Sequence, residues 1–144
     1  MKFYAILLSI YLLTLFACKE VIVEPITKGE LLSKQWILNK TVLNDTTELS
    51  FGDGMVNYYE YKENGEYILR IDATYDDDEQ FVIGSWEFYN SEENLILNSP
   101  EFSIREIIFS ARTDSFKIVV LEEEKLRISQ EFNSDILEFR YIPR

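Results

Sequence analysis

The sequence predicts an all-β fold, an antiparallel up-and-down barrel of about eight strands that follows a short helical turn. Large apolar side chains recur at every second residue in several short stretches, which is the period of a half-buried strand. Turn-forming residues separate these stretches at short, regular intervals, with almost no helix between them. We find no connection long enough for a Greek key, and closure into a barrel removes exposed sheet edges.

The first residues have the layout of a secretory signal. Lys2 is followed by an almost unbroken apolar run over residues 3–16, which is shorter than the roughly 20 residues that a membrane span needs. Residues 15–18 read Leu-Phe-Ala-Cys and resemble the lipobox of bacterial lipoproteins, which implies a signal peptide over residues 1–17. The alternative is an uncleaved anchor helix in which Cys18 is incidental.

Cys18 is the only cysteine in the chain, so no intramolecular disulfide can form. The lipobox resemblance implies that this cysteine is acylated by palmitate-like chains and becomes the first mature residue. Each buried methylene contributes about 0.8 kcal/mol, so two or three chains hold a protein firmly to a membrane. We therefore expect a lipidated tether over residues 18–27 and a location in the cell envelope, at the periplasmic or the surface face of the outer membrane.

The elements after the tether follow from caps, alternation and turns. Thr27 and Glu30 have the spacing of a capping box, which predicts one short helical turn. The first strand is predicted over residues 35–42, with Trp36, Leu38 and Val42 on one face.

The central hairpin is the clearest local signal in the chain. Tyr59, Tyr61 and Tyr67 lie at alternating positions of two strands. Between these strands, Asn64 and Gly65 are expected to supply the positive φ angles that a tight hairpin needs.

The second half of the chain repeats this pattern. A further hairpin is predicted at residues 112–114, between strands at residues 104–110 and 116–121. A short strand at residues 126–128 and a last strand at residues 136–142 then complete the barrel.

Three segments together resemble the lipocalin-like domains of bacterial lipoproteins. Residues 32–36 read Leu-Ser-Lys-Gln-Trp, residues 61–67 read Tyr-Lys-Glu-Asn-Gly-Glu-Tyr, and residues 84–88 read Gly-Ser-Trp-Glu-Phe. Lys34 stands where the family has a glycine in its opening Leu-x-Gly-x-Trp. The resemblance covers residues 28–144 and implies an antiparallel barrel with a cavity open at one end, which sometimes holds a small apolar ligand. It does not imply an enzyme.

Aromatic side chains are the candidates for contact with such a ligand. An eight-stranded barrel is just wide enough to be filled by side chains or to hold one small ligand. We expect Tyr61, Tyr67 and Trp86 to line a pocket for a small apolar or amphipathic molecule. The alternative is a filled interior, in which case the domain is an interaction or inhibitor module of an envelope complex that uses an outer surface or its acidic loops.

The net charge of −12 argues against nucleic-acid binding. Phosphate backbones are bound through basic patches that release counterions, and no such patch is visible. We expect contact with the membrane through acylated Cys18 alone, because an acidic domain is repelled by an anionic lipid surface.

The absence of histidine excludes several kinds of active site. Neither a Ser-His-Asp or Cys-His arrangement nor zinc held by His and Cys can be assembled. The acidic runs at residues 76–79 and 122–124 are expected to be solvated turns, and the first lacks the ligand spacing and the glycine of a calcium loop. We therefore expect no catalytic residues, no metal and no cofactor, with a hydrolase using two facing carboxylates as the remaining enzymatic alternative.

Overall fold

The protein is described by a computed structural model that covers residues 25–49, 55–73, 80–104 and 107–144. The predicted signal peptide, Cys18 and the acidic run at residues 76–79 lie outside these ranges. Within them, no helix is both long enough and apolar enough to cross a bilayer. The described elements are helix α1 (Lys28–Leu32) and strands β1 (Gln35–Leu43), β2 (Thr47–Leu49), β3 (Met55–Tyr61), β4 (Glu66–Ala73), β5 (Gln80–Tyr89), β6 (Asn94–Ser99), β7 (Phe102–Ile104), β8 (Ile107–Phe109), β9 (Arg112–Glu122), β10 (Lys125–Phe132) and β11 (Asp135–Pro143).

Eight of these strands form a closed antiparallel barrel, which confirms the predicted fold class. Their order around the barrel is β1, β3, β4, β5, β6, β9, β10 and β11, and the barrel closes because β11 also pairs with β1. Strand β2 extends the sheet beside the second half of β1. Strands β7 and β8 form a separate hairpin between β6 and β9.

The two ends of the barrel differ. The end at which β1 begins, called the closed end here, also contains the turns after β3, β5 and β9 and is covered by α1. Lys28 Nζ donates to the carbonyl of Glu92 in the turn after β5 (2.9 Å), and Lys34 Nζ donates to that of Glu123 in the turn after β9 (2.8 Å). Leu32 of α1 is fully buried. The opposite end, called the loop end, contains the turns after β1 and β10 and the hairpin of β7 and β8.

Helix α1 begins with the predicted capping box. The Glu30 backbone N–H donates to Thr27 Oγ1 (3.2 Å), and the Thr27 backbone N–H donates to Glu30 Oε2 (2.7 Å). These hydrogen bonds lower the pKa of Glu30. The box fixes the start of a helix too short to be stable alone.

The predicted hairpin of β3 and β4 is confirmed, with one correction to its turn. Gly65 N–H donates to the Lys62 carbonyl (3.0 Å), and the positive φ is taken by Gly65 alone, at 83°. Asn64 does not share it, because its side-chain oxygen instead accepts a hydrogen bond from the Glu66 backbone (3.0 Å). The turn therefore needs glycine at only one position.

The predicted position of Val42 on the inner face is wrong. A β-bulge between Leu38 and Lys40 shifts the pairing of β1 with β11 by one residue. A one-residue shift moves the following side chains to the other face. Thr41 consequently pairs with the core residue Phe139, whereas Val42 lies on the outer face.

The predicted hairpin at residues 112–114 is also wrong. These residues belong to the continuous strand β9, which pairs with β6 and not with residues 104–110. Their polar side chains are accommodated within the strand: Thr113 Oγ1 donates to Asn98 Oδ1 (2.7 Å), and Arg112 pairs with Asp114 (2.8 Å).

Candidate functional site

The barrel interior has a packed layer at the closed end. The indole N–H of Trp36 donates to the Leu32 carbonyl, and that of Trp86 donates to the Lys62 carbonyl, both at 3.0 Å. Both large rings are therefore held by the backbone and leave no indole donor unpaired. The buried residues of this core cluster are Leu32, Trp36, Tyr61, Tyr67, Trp86, Leu95, Leu97, Leu126, Ile128 and Tyr141.

The three residues predicted to contact a ligand lie together in this layer. Tyr61 and Tyr67 are each 2% exposed, and Trp86 is 9% exposed. The Tyr61 ring centre lies 6.3 Å from that of Tyr67 and 6.1 Å from that of Trp86, the latter in an edge-to-face arrangement. They form the floor of the interior, and their contact with a ligand stays a prediction.

Other inward side chains that pack against this cluster are only partly buried. Tyr59 is central among them: its ring stacks on Tyr61 at 5.8 Å, meets the edge of Tyr141 at 5.8 Å and lies 6.0 Å from Tyr67. Part of each side chain is accessible to solvent, although the Tyr59 hydroxyl itself is buried deeply enough for its pKa to be raised. The partly buried hydrophobic residues packed against the core cluster are Leu38, Tyr59, Leu69, Phe88, Phe116, Ile118, Leu121 and Phe139.

Gly84 allows the Tyr67 ring to lie across strand β5. A Cβ at this position would stand 2.5 Å from Tyr67 Cε1 and 2.5 Å from the Asn98 carbonyl oxygen. Both distances are shorter than real Cβ contacts, so any other residue would displace the ring or the neighbouring strand. The Gly-x-Trp motif thus combines a glycine that admits Tyr67 with a tryptophan that packs in the same layer.

Polar groups of β4, β6 and β9 lie close together, and of these the Arg112 side chain is 58% exposed. The hydroxyls of Tyr67 and Ser99 are hydrogen-bonded at 2.5 Å, and Arg112 Nε donates to Asp114 Oδ2 at 2.8 Å. Arg112 and Asp114 are also the charged groups that affect the pKa of Tyr59 and of Tyr67. The interior thus combines apolar walls with a few polar groups, as small-molecule sites do.

Burial keeps the interior tyrosines protonated. It raises the pKa of Tyr59 to about 12, with the nearby Tyr67 adding to the effect. Burial also raises the pKa of Tyr61 and of Tyr141 well above the usual value for tyrosine. The pKa of Tyr67 is raised by burial and partly restored by its hydrogen bond to Ser99. At neutral pH these side chains are therefore uncharged hydrogen-bond donors.

Tyr59, Tyr141, Arg112 and Asp114 were not among the predicted site residues. The alternation that places Tyr61 inward also places Tyr59 inward, as the sequence predicted, but Tyr59 was not chosen as a ligand contact. The pair on β9 was not predicted because residues 112–114 read as a turn.

A second polar cluster lies on the outer face of the barrel. Glu138 pairs across β11 and β10 with Ser129, is buried, and accepts hydrogen bonds from Arg127 Nη2 (2.7 Å) and Arg140 Nε (2.5 Å). Burial alone would raise the pKa of Glu138, but the hydrogen bonds from the two arginines outweigh it and lower that pKa. A surface groove of about 510 Å³ passes this cluster and is also lined by Lys117 and Ile136.

No group of three or more histidine, cysteine, aspartate or glutamate side chains that could hold a metal ion occurs in the described ranges. Neither the inner nor the outer polar cluster therefore has the donor set of a metal centre within this part of the chain.

The comparisons with known proteins concern the fold. No family model matches the chain, and no curated protein matches its sequence. Among solved structures, a lipocalin-like protein from Bacteroides uniformis ATCC 8492 is similar, with a TM-score of 0.56 over 79% of this chain and 99% of that chain and a sequence identity of 15%. At this identity the similarity shows the fold alone, so the chain contains a lipocalin-like barrel.

Proposed function

We propose that this protein is a non-catalytic lipoprotein of the cell envelope whose lipocalin-like barrel binds one small apolar or amphipathic molecule. The observation that carries the proposal is that several inward apolar side chains of the barrel are only partly buried, although they pack against a buried core. An interior filled throughout by its own side chains would bury these residues as completely as their neighbours in the core.

The chemistry of the partly buried inward side chains supports an apolar or amphipathic ligand. Leu38, Leu69, Phe116 and Phe139 are apolar, face inward and are partly buried. Covering them with a ligand would remove apolar surface from water, at about 25 cal/mol per Å². Tyr59 adds a polar hydroxyl among these walls, which suits a molecule with one polar end.

The membrane anchor is proposed from the sequence of residues 1–18. The test is incorporation of labelled palmitate in a bacterial host, compared between the native chain and Cys18→Ala. We expect labelling in the outer-membrane fraction for the native chain and none for the variant. Equal labelling of the two would contradict the anchor and would leave the binding proposal untouched.

Ligand binding can be tested with two adjacent residues on opposite faces of β4. Native mass spectrometry of the full chain with lipid libraries would identify a ligand, and quenching of the two tryptophans would measure its affinity. Leu69→Gln places an amide on the inner wall, which should weaken binding by about tenfold because an apolar contact is replaced by an unpaired polar group. Ile68→Gln makes the same change on the outer face and should leave the affinity unchanged. Absence of any bound ligand, or equal effects of the two substitutions, would contradict the proposal.

The outer surface favours a second candidate function, a protein-interaction module of an envelope complex. Phe81 and Ile83 are exposed on the outer face of β5, and the groove beside Glu138 lies on the outer face of β10 and β11. Crosslinking in intact membranes followed by capture of the chain would recover one dominant partner in this case. Its recovery should be lost in a Phe81→Ser, Ile83→Ser double variant.

A further inference from the structure

Basic side chains stand next to one another on the outer face of the barrel. Lys40 of β1 pairs with Arg140 of β11, and Arg140 pairs with Arg127 of β10, so three basic residues form one row across the strands. Like charges directly opposite each other destabilise a sheet. Glu48 pairs with Lys40 at 3.1 Å, but it leaves the two arginines to other partners. In a chain with a net charge of −12, this row calls for a physical explanation.

The acidic side chains beside the two arginines do not balance the positive charge of this region. Glu138 is the carboxylate that both Arg127 and Arg140 contact. Lys117 of β9 lies in the same row across the strands as Glu138, is exposed, and forms no ion pair with any described residue. The other acidic residue that lines the groove here is Asp45. Three basic side chains thus face two acidic ones, which leaves one positive charge unbalanced.

Glu138 holds the two arginines in place without using all of their donors. Its carboxylate accepts hydrogen bonds from Nε and Nη2 of Arg127 (3.0 and 2.7 Å) and from Nε of Arg140 (2.5 Å). The other guanidinium N–H groups have no partner among the described residues. The two arginine side chains are 34% and 32% exposed, so solvent reaches them. Donors that are already held in position lose little freedom when a ligand binds.

The groove of about 510 Å³ lies directly beside these donors. Arg127 and Lys117 supply its basic lining, and Val119 and Ile136 supply apolar lining that is 43% and 49% exposed. Its volume is within the range of about 300 to 1,000 Å³ that is usual for small-molecule sites. The groove therefore combines space, positive charge and uncovered apolar surface.

A β-bulge shapes this part of the outer face. Arg127 of β10 pairs with Val120 of β9, whereas the next residue of β10 pairs with Ile118. Val119 therefore has no partner on β10. A bulge of this kind bends its strand, and bulges are common beside binding sites.

We propose that the groove is a second binding site, outside the barrel, for a small amphipathic carboxylate. The carboxylate accepts hydrogen bonds from Arg127 and Lys117, and the aliphatic chain covers Val119 and Ile136. A single negative charge matches the one unbalanced positive charge, which a dianion such as phosphate would exceed. The site does not use the barrel interior, so this inference does not rest on ligand binding there.

The test uses three probes on the full-length protein. Decanoate has both the charge and the chain, decanol has the chain without the charge, and acetate has the charge without the chain. Titration calorimetry measures affinity, and backbone amide chemical shifts locate the probe. Native protein should bind decanoate more tightly than decanol or acetate, with the largest shifts at Val119 and Ser129. Added salt should weaken decanoate binding, because the charged groups are partly exposed.

Three substitutions separate the groove from a general effect of charge. Lys117→Gln should weaken decanoate binding by about fivefold and leave decanol binding unchanged. Lys125→Gln is the matched control: it removes the same charge from an exposed lysine of β10 that does not line the groove, and it should leave the affinity unchanged. Asp45→Asn removes an acidic group from the groove and should strengthen decanoate binding by about threefold. A gain in affinity cannot result from loss of folding.

The contrary outcomes are distinct from those for the proposed function. Equal effects of Lys117→Gln and Lys125→Gln, or no gain in Asp45→Asn, would overturn the inference. Decanoate shifts that centre on Leu69, with the affinity lost in Leu69→Gln, would place the probe inside the barrel; that result would support the proposed function and overturn this inference. Failure of decanoate to bind native protein would also overturn it, while the lipid libraries decide the proposed function separately.

Discussion

Glu138 on the outside of the barrel and Tyr61 on the inside are both buried polar residues, yet their surroundings are opposite. Glu138 is 4% exposed, and its carboxylate accepts hydrogen bonds from Nε and Nη2 of Arg127 and from Nε of Arg140. The hydroxyl of Tyr61 accepts and donates none within the described residues.

The difference separates a buried polar group whose partners hold neighbouring strands together from a buried polar group that has no partner among the described residues. A fully paired buried charge keeps strands β10 and β11 in register, and its loss would leave two arginines without their acceptor. An unpaired buried hydroxyl contributes nothing favourable to the fold, because the cost of removing it from water is not offset by a hydrogen bond.

The largest expected effect comes from breaking the outer cluster. Glu138→Gln keeps the size of the side chain but removes its charge, and it should lower the free energy of unfolding by about 3 kcal/mol, as for a broken buried ion pair. Urea unfolding followed by circular dichroism measures this change. Glu48→Gln is the matched control, because Glu48 pairs with Lys40 at 3.1 Å on the exposed surface and should contribute less than about 0.5 kcal/mol.

The pH dependence of the difference in unfolding free energy between native protein and Glu138→Gln shows whether the Glu138 carboxylate causes it. The folded-state pKa of Glu138 is lowered, so its contribution is present above the unfolded value of about 4.3 and is lost as the pH falls through the folded value. The free energies of unfolding of native protein and of Glu138→Gln should therefore become more similar in acid. Equal losses of unfolding free energy in Glu138→Gln and Glu48→Gln would contradict a stabilising role of the Glu138 carboxylate. A loss in Glu138→Gln that does not change with pH would contradict it as well.

The next effect concerns the packing of the inner layer. Gly84→Ala should destabilise the protein by about 2 kcal/mol, because the added methyl group overlaps the Tyr67 ring and the Asn98 carbonyl. Gly29→Ala is the control: its Cβ would meet nothing closer than Thr27 Oγ1 at 3.8 Å, so it should be neutral or slightly stabilising in α1. Thermal unfolding of both variants checks this prediction. Equal decreases in melting temperature for Gly84→Ala and Gly29→Ala would rule out an overlap of the added methyl group with Tyr67 and Asn98.

The smallest effect appears only in alkali. Because burial raises the pKa of Tyr59 to about 12 and raises those of Tyr61 and Tyr141 well above the usual value for tyrosine, the unfolded state releases protons first. Stability is therefore full below about pH 10 and declines as the pH rises above it. Ultraviolet absorbance of tyrosinate and circular dichroism should change together for these residues, and Tyr59→Phe should shift the transition to higher pH. Ionisation of all tyrosines before any loss of structure would contradict this.

Local patterns were enough to predict the barrel, but not the details that depend on distant strands. The hairpin around Gly65 and the capping box at Thr27 involve residues close in sequence, and both were predicted. The bulge that turns Val42 outward arises from pairing with β11, nearly a hundred positions later in the chain. The polar residues 112–114 read as a turn because their partners lie on β6.

The same limit applies to the candidate site. Alternation places Tyr61, Tyr67 and Trp86 inside the barrel, but it does not tell how deep each lies. It also does not tell which inward side chains are fully buried and which, such as Tyr59, are only partly buried. The missing partner of Tyr61 Oη depends on every side chain around it, so no sequence pattern reports it.

Helix α1 seals one end of the barrel and is joined to the turns above it through Lys28 and Lys34, so everything upstream of Pro25 is attached on the sealed side. If Cys18 carries the proposed acyl anchor, the tether joins the barrel at the end that α1 covers. The loop end, with the turns after β1 and β10, is then the end farther from the point of attachment.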